Sequence, residues 1–175
     1  MSLILLVLVA LTGRSWAVPS DTGSTVPKPM PRPAGAVVAA ADSSHVCQTI
    51  EAAARESALD AGFFARLLWK ESLFQTTAVS PAGAQGIAQF MPGTAKLRGL
   101  EDAFDPDAAV RVSAAYLAEL ARTYGNLGLA AAAYNGGEAR IERFLDSGGD
   151  LPAETRAYVQ AITGYSAETW RDSPP

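Results

Sequence analysis

The chain has 175 residues, a length that suggests one domain with short additions. Its 49% hydrophobic and 18% charged residues are an ordinary globular balance, while the net charge of −4 and the lack of any basic run exclude the cationic surface that nucleic-acid binding requires. The one Cys and one His, Cys47 and His45, permit neither an internal disulfide nor a structural zinc site, so we expect no metal and no cofactor.

The first 17 residues have the features of a signal peptide. Residues 3–11 form an apolar run that is too short to span a bilayer but has the length of a signal-peptide core. Ser15, Trp16 and Ala17 resemble the small-x-small cleavage pattern, so cleavage is expected after Ala17. No Lys or Arg precedes the run, which leaves a buried N-terminal helix or a misassigned start as alternatives. We expect an exported protein of the periplasm or cell envelope.

Residues 18–42 are predicted to be a proline-rich linker. Prolines alternate with other residues over 27–33, and this spacing disfavours helix and strand hydrogen bonds and favours an extended polyproline conformation. The linker is interpreted either as a passive spacer or as a tether towards the membrane. A single folded domain is predicted over 43–170, followed by a short tail over 171–175.

The predicted domain is mainly helical, since no convincing run of alternating strand residues occurs and no internal repeat is present. Serine and aspartate caps, prolines at first helical positions and Asn-Gly stops mark the boundaries. Helices are expected from Ser43 or Ser44, from Asp60 to about Phe74, over 86–90, from Gly93, from Asp105, and over 127–134, 138–145 and 153–162.

Glu71 is a carboxylate on the apolar face of the second predicted helix. Helical spacing places it beside Leu67, Leu68 and Phe74. Burial disfavours the charged form of a carboxyl group and raises its pKa, so such an acid can stay protonated near neutral pH and donate to a glycosidic oxygen. The alternative is an ordinary Glu at a helix end with its side chain in solvent.

A second carboxylate is missing from the sequence near Glu71. The next acidic residue is Glu101, whereas most glycosidases use two carboxylates that flank the scissile bond. The spacing therefore indicates either a distant partner or a substrate that supplies its own nucleophile.

Three blocks of sequence resemble the soluble lytic transglycosylase family. The first block combines Glu71-Ser72 with residues 80–95, which begin with a Ser-x-x-Gly-Ala-x-Gly stretch. The second is an Ala-Tyr-Asn-Gly sequence within 131–137, and the third is a Pro-x-Glu-Thr-x-x-Tyr-Val sequence within 151–159. All three occur in the family's order. Ile87 and Ala88 depart mildly from the family, which has a Leu-Met pair there.

The resemblance implies a lysozyme-like fold, a mainly α member of the α+β superfold with at most a very small β element. It implies cleavage of peptidoglycan strands between N-acetylmuramic acid (MurNAc) and N-acetylglucosamine (GlcNAc). Glu71 would first act as acid and then as base on the muramyl 6-hydroxyl, leaving a 1,6-anhydro end. The glycan strand is the expected partner, a secretion or conjugation apparatus is a further candidate, and a monomer is expected.

The resemblance also assigns substrate-binding roles around the catalytic Glu71. Tyr134 matches a tyrosine that reaches the glutamic acid in the family, and Ser80 matches a serine near it. The full predicted substrate-binding set is Ser80, Gln89, Met91, Tyr134, Asn135, Glu154 and Tyr158.

Simpler interpretations stay open for several members of this set. They are a loop cap for Ser80, a solvated helix position for Gln89, a core position for Met91, a turn residue for Asn135 and a first-turn charge for Glu154.

Two other functions also stay open. One is a hydrolase that cleaves the same bond with water, and the other is a non-catalytic glycan-binding or secretion-assembly module, which the presence of Glu71 disfavours.

Overall fold

The structure is a computed structural model that describes the backbone of residues 35–175 and the side chains from Ser44 onward. The predicted signal peptide over 1–17 and most of the predicted linker lie outside these residues. The described part is mostly helical and has isolated β bridges in place of a sheet, which confirms the mainly α class. Its helices are α1 Gly35–Glu56, α2 Ala61–Ser72, α3 Pro92–Leu97, α4 Pro106–Tyr124, α5 Leu127–Gly136, α6 Glu138–Ser147, α7 Ala153–Thr163 and α8 Ala167–Asp172.

Helix α1 begins earlier than the sequence predicts. It starts at Gly35, inside the predicted linker, and not at a cap on Ser43 or Ser44. The residues over 36–41 are Ala and Val without any proline, and alanine has the highest helix propensity, so the helix extends back to the end of the proline-rich stretch.

The two predicted aspartate caps are confirmed. The Asp60 carboxylate accepts a hydrogen bond from the Phe63 backbone N–H at 2.7 Å and begins α2. Asp105 accepts from two backbone N–H groups in the first turn of α4, which has Pro106 as its first residue. Such caps satisfy backbone donors that the first turn of a helix leaves free.

Helix α2 ends at Ser72, short of the predicted end near Phe74. Leu73 and Phe74 both adopt left-handed backbone conformations, with φ of 55° and 62°, so the chain turns away immediately after Glu71 and Ser72. The early end leaves Glu71 in the last turn of the helix, at the edge of the packed core.

Residues 79–90 form a hairpin-like loop where the sequence predicts a helix over 86–90. Gln85 pairs with Val79 on one side and with Phe90 on the other, and it exchanges two backbone hydrogen bonds with Phe90, at 2.9 and 3.1 Å. Gly86 and Gln89 have φ of 71° and 49°, which an α helix cannot contain. The predicted short helix is therefore wrong, and α3 begins directly afterwards at Pro92.

Helix α5 is the centre of the domain. Its residues Ala130–Ala133 are fully buried, and it packs against α4, α6, α7 and α8. The small alanines allow close approach of these neighbouring helices on several sides. Since α5 ends at Gly136, this packing fixes Tyr134 and Asn135 at the end of a rigid element.

The last helix, α8, was not predicted from the sequence and closes the domain. The Trp170 indole N–H donates to Thr163 Oγ1 at 3.0 Å, and Asn126 donates to the Trp170 carbonyl at 3.1 Å. Gly128 of α5 lies directly under the Trp170 ring, where a Cβ would be 2.0 Å from the ring. The helix continues to Asp172, beyond the predicted domain end at 170.

No helix within residues 35–175 has both the length and the apolar character needed to cross a bilayer.

Candidate active site

A cleft of about 650 Å³ opens beside the end of α2. It is bordered by the hairpin-like loop 79–90, the end of α5 and one face of α7. The structure brings all eight predicted site residues to this one cleft: Glu71, Ser80, Gln89, Met91, Tyr134, Asn135, Glu154 and Tyr158. Their roles in binding remain predictions, while their convergence is a property of the fold.

Glu71 is half-buried at the wall of the cleft, with the fully buried Leu67 and Leu68 on the preceding turn. Burial raises the pKa of the Glu71 carboxyl from 4.5 to about 7, because desolvation penalises the charged form. A hydrogen bond from Tyr158 and the charge of Lys70 lower the pKa, and the charge of Glu154 raises it. The group is thus balanced between its acid and base forms near neutral pH.

Tyr158 of α7 is the residue that contacts the Glu71 carboxyl. Its hydroxyl donates a hydrogen bond to Glu71 Oε1, and the residue is 3% exposed. Burial and the nearby Glu71 charge raise the pKa of Tyr158 well above its usual range, so the phenol stays protonated. It can therefore stabilise the carboxylate whenever Glu71 gives up its proton.

The structure differs from the family-based prediction for Tyr134. The Tyr134 hydroxyl donates to the Ala88 carbonyl at 2.9 Å, and the hydrogen bond to Glu71 comes from Tyr158 instead. Tyr134 thus connects α5 to the hairpin-like loop, and burial together with the Glu71 charge raises its pKa.

Ser72 fixes the end of α2 to the same loop. Its side chain is buried, and its hydroxyl donates to the Ile87 carbonyl at 2.8 Å. This contact ties the residue beside Glu71 to the loop that lines the cleft. The Glu-Ser pair marks it in the sequence, but its partner, 15 residues away, is visible only in the structure.

The polar side chains of Ser80 and Gln89 form hydrogen bonds to the backbone of their own loop and of the residue just before it. Ser80 Oγ accepts from the Ala84 backbone N–H at 3.0 Å, as a loop cap does, and its hydrogen remains free to donate. The Gln89 amide donates to the Gly86 and Ala78 carbonyls at 2.9 and 3.3 Å, from a turn and not from a solvated helix. Both residues line the cleft, so they shape its wall whatever they contact in substrate.

The remaining wall combines α5, α7 and Met91. Asn135 Oδ1 accepts from Thr155 Oγ1 at 2.9 Å, which leaves the Asn135 amide N–H₂ available to a ligand. Glu154 is exposed, and Met91 is 45% exposed, so Met91 is a lining residue and not a core residue.

Comparison with known proteins was made on this fold and site. Residues 48–156 match the family model described as the transglycosylase SLT domain. The chain belongs to the transglycosylase SLT domain family. This assignment confirms the family resemblance of the three sequence blocks.

Two relatives of this SLT domain illustrate the similarity. The soluble lytic murein transglycosylase of Salmonella typhimurium is 32% identical over 120 residues, covering 56% of this chain and 19% of that protein. The transglycosylase of Enterobacteria phage PRD1 is 38% identical over 90 residues, covering 51% of this chain and 34% of that protein. The chain thus spans about a fifth of the Salmonella protein and about a third of the phage protein.

A solved relative has the same fold. The lytic transglycosylase Slt from Pseudomonas aeruginosa, solved as an inactive Glu-to-Gln mutant, superposes with a TM-score of 0.59 and 32% identity, covering 66% of this chain and 22% of that one. This likeness confirms the lysozyme-like fold of the SLT domain.

One wall of the SLT cleft was not predicted from the sequence. Tyr116 of α4 lines the cleft beside Tyr134, with ring centroids 5.4 Å apart, and the Arg98 guanidinium lies 3.9 Å from the Tyr116 ring centroid. Arg98 also forms ion pairs with Glu119 and Glu138. The only sequence signal was an aromatic residue on the buried face of α4, which is typical of any core position.

Proposed function

We propose that this SLT domain is a peptidoglycan lytic transglycosylase that cleaves the MurNAc–GlcNAc bond and leaves 1,6-anhydro-MurNAc ends. The observation that carries the proposal is the half-buried Glu71 at the cleft wall, whose carboxyl keeps its proton up to about pH 7. The names of the relatives above, murein and lytic transglycosylases, support the same substrate and reaction.

Glu71 acts first as a general acid. Its carboxyl proton passes to the glycosidic oxygen as the bond from that oxygen to C1 of the muramyl residue breaks, and the GlcNAc portion leaves with a new hydroxyl group. The Tyr158 hydroxyl donates to the carboxylate that remains. This hydrogen bond offsets part of the cost of charge in a half-buried position.

Glu71 then acts as a general base. The carboxylate removes the proton of the muramyl 6-hydroxyl, whose oxygen bonds to C1 and closes the 1,6-anhydro ring. Glu71 recovers its proton, and the cycle consumes no water. A pKa of about 7 suits both steps, because an acid–base group works best when its pKa is near the operating pH.

Hydrolysis is the second candidate because the cleft contains another carboxylate. Glu154 of α7 lines the same cleft, is exposed to solvent and lies close enough for its charge to raise the pKa of Glu71. In this second candidate reaction Glu154 would activate a water molecule in place of the muramyl 6-hydroxyl, as the second carboxylate of a two-carboxylate glycosidase does.

Mass spectrometry of soluble products from digested sacculi distinguishes the two reactions. The proposed lyase releases muropeptides with anhydro ends, each lighter by one water than the corresponding hydrolysis product. Products that all carry the additional water would contradict the lyase and favour the hydrolase. A parallel digestion with the Glu71→Gln protein identifies any product that comes from a contaminating activity.

We place the site of action in the cell envelope, where peptidoglycan lies. The apolar run over 3–11 supports export, although it lies outside the described residues. A role within a secretion or conjugation apparatus remains a prediction from the sequence.

A further inference from the structure

We propose that Lys70 binds a carboxylate group carried by the muramyl residue at the cleavage site, and so gives the cleft a preference for anionic glycan. This inference rests on the proposed function and specifies the part of the substrate that the cleft recognises. The carboxylate is either that of the lactyl group itself or one in the peptide stem attached to it.

Lys70 is the only cation that lines the cleft within residues 44–175. It directly precedes Glu71 in α2, and its side chain is exposed, so its ammonium group can reach substrate close to the scissile bond. A lysine has a flexible stem and three donors, which suits a carboxylate that hangs from the sugar on a short chain.

The ammonium group of Lys70 has no partner in the described part of the chain. Arg98, Arg111 and Arg156 each lie within 4.0 Å of an Asp or Glu oxygen, whereas Lys70 forms no ion pair within that distance, although its charge acts on the neighbouring Glu71. The ammonium group is therefore not engaged in a surface ion pair and is available to a ligand.

The electrostatics of the cleft make a cation useful there. The chain has a net charge of −4, and Glu154 adds a negative charge to the cleft wall. A glycan with carboxylates on alternate sugars would be repelled by this surface. One lysine beside the reacting group offsets the negative charge of Glu154 where the muramyl residue must lie.

The experiment compares Lys70→Gln, Lys70→Arg and a matched control, Lys96→Gln, which removes the same charge from an exposed position outside the cleft. Each protein is assayed on strands that retain peptide stems, strands stripped to free lactyl groups, and strands whose carboxylates are converted to methylamides. The pH is kept well below 7, so that Glu71 is protonated even where loss of the Lys70 charge raises its pKa.

We expect Lys70→Gln to raise KM roughly two- to fivefold on strands that bear carboxylates, as loss of an exposed ion pair does. The rise should be absent on methylamide strands, Lys70→Arg should restore most of the wild-type KM, and Lys96→Gln should match wild type. A rise confined to stem-bearing strands assigns the contact to the stem, and a rise on stripped strands assigns it to the lactyl group.

An equal rise on methylamide strands, or no rise on any strand, would overturn the proposal. Wild-type protein that released no product from any of the three substrates would instead refute the proposed function. The two failures are distinguishable because the Lys70 comparison is made only with wild-type protein that is active.

Discussion

Replacing Glu71 with Gln is expected to lower the rate of glycan cleavage by about 10²- to 10⁴-fold, the range that a positioned general acid contributes. Gln keeps the shape of the side chain, and its amide oxygen can still accept the Tyr158 hydrogen bond, but it has no proton to give at neutral pH. The measurement is the initial rate of release of soluble muropeptides from purified sacculi.

The matched control is Glu51→Gln, the same chemical change on an exposed turn of α1 outside the cleft. It should leave the rate unchanged. Wild-type activity in Glu71→Gln would contradict the site assignment, since every step of the proposed reaction passes through that carboxyl group.

Loss of folding can be separated from loss of chemistry by the pH dependence of stability. Glu71 ionises near 4.5 in the unfolded chain and near 7 in the folded protein, so between these values the folded state holds one more proton. The free energy of unfolding therefore falls as pH rises from about 4.5 to about 7. Since Gln has no such penalty, Glu71→Gln should be at least as stable as wild type at pH 8 in urea denaturation.

Replacing Gly86 with Ala is expected to lower the free energy of unfolding by about 3 kcal/mol or more. A Cβ at this position would lie 1.8 Å from the Ala103 carbonyl oxygen, and the φ of 71° is itself unfavourable for alanine. Relief of the contact requires movement of the backbone on one side or the other. The measurement is urea denaturation of the two proteins at one pH.

Gly83→Ala is the matched control for this prediction. Gly83 also has a positive φ, of 90°, but nothing lies within 4 Å of the added Cβ. Gly83→Ala should lower the free energy of unfolding by about 1 kcal/mol, which is the conformational penalty alone. Equal stability of the two variants would show that the loop can move away from Ala103 and that the close approach is not required.

The site could be predicted well where its signals are local in the chain. Glu71 among Leu67 and Leu68 is a pattern within one helix, and the Asp60 and Asp105 caps bond to residues two or three positions ahead. Helical spacing alone puts the Glu71 carboxyl group on an apolar stripe and so predicts a raised pKa, and the half-buried side chain in the structure excludes the alternative of a fully solvated Glu.

Contacts between distant segments could not be predicted in the same way. Tyr158 and Glu71 are separated by 87 positions, and only the packing of α7 on α2 shows that Tyr158, and not Tyr134, donates to the carboxyl group. Likewise, the loop 79–90 contains residues compatible with a short helix. Its real conformation depends on the approach of Gly86 to Ala103 from another segment.

Two further errors concern helices: one has a local cause, and the other comes from a contact between distant segments. The proline-rich linker suggested an extended chain up to residue 42, but the alanine-rich stretch that precedes Ser43 is helical by its own propensity. The last helix, α8, is short. It depends on the packing of the Trp170 ring against Gly128, a contact with no sequence signature.

The central claim is that Glu71 keeps its proton near neutral pH, and an NMR titration of its carboxyl carbon measures this directly. The Glu71→Gln protein, which lacks that signal, provides the assignment. We predict a midpoint of about 7, raised from 4.5 by burial at the cleft wall. A midpoint at or below 4.5 would mean that the group is already ionised when substrate arrives, and it would contradict the acid–base mechanism.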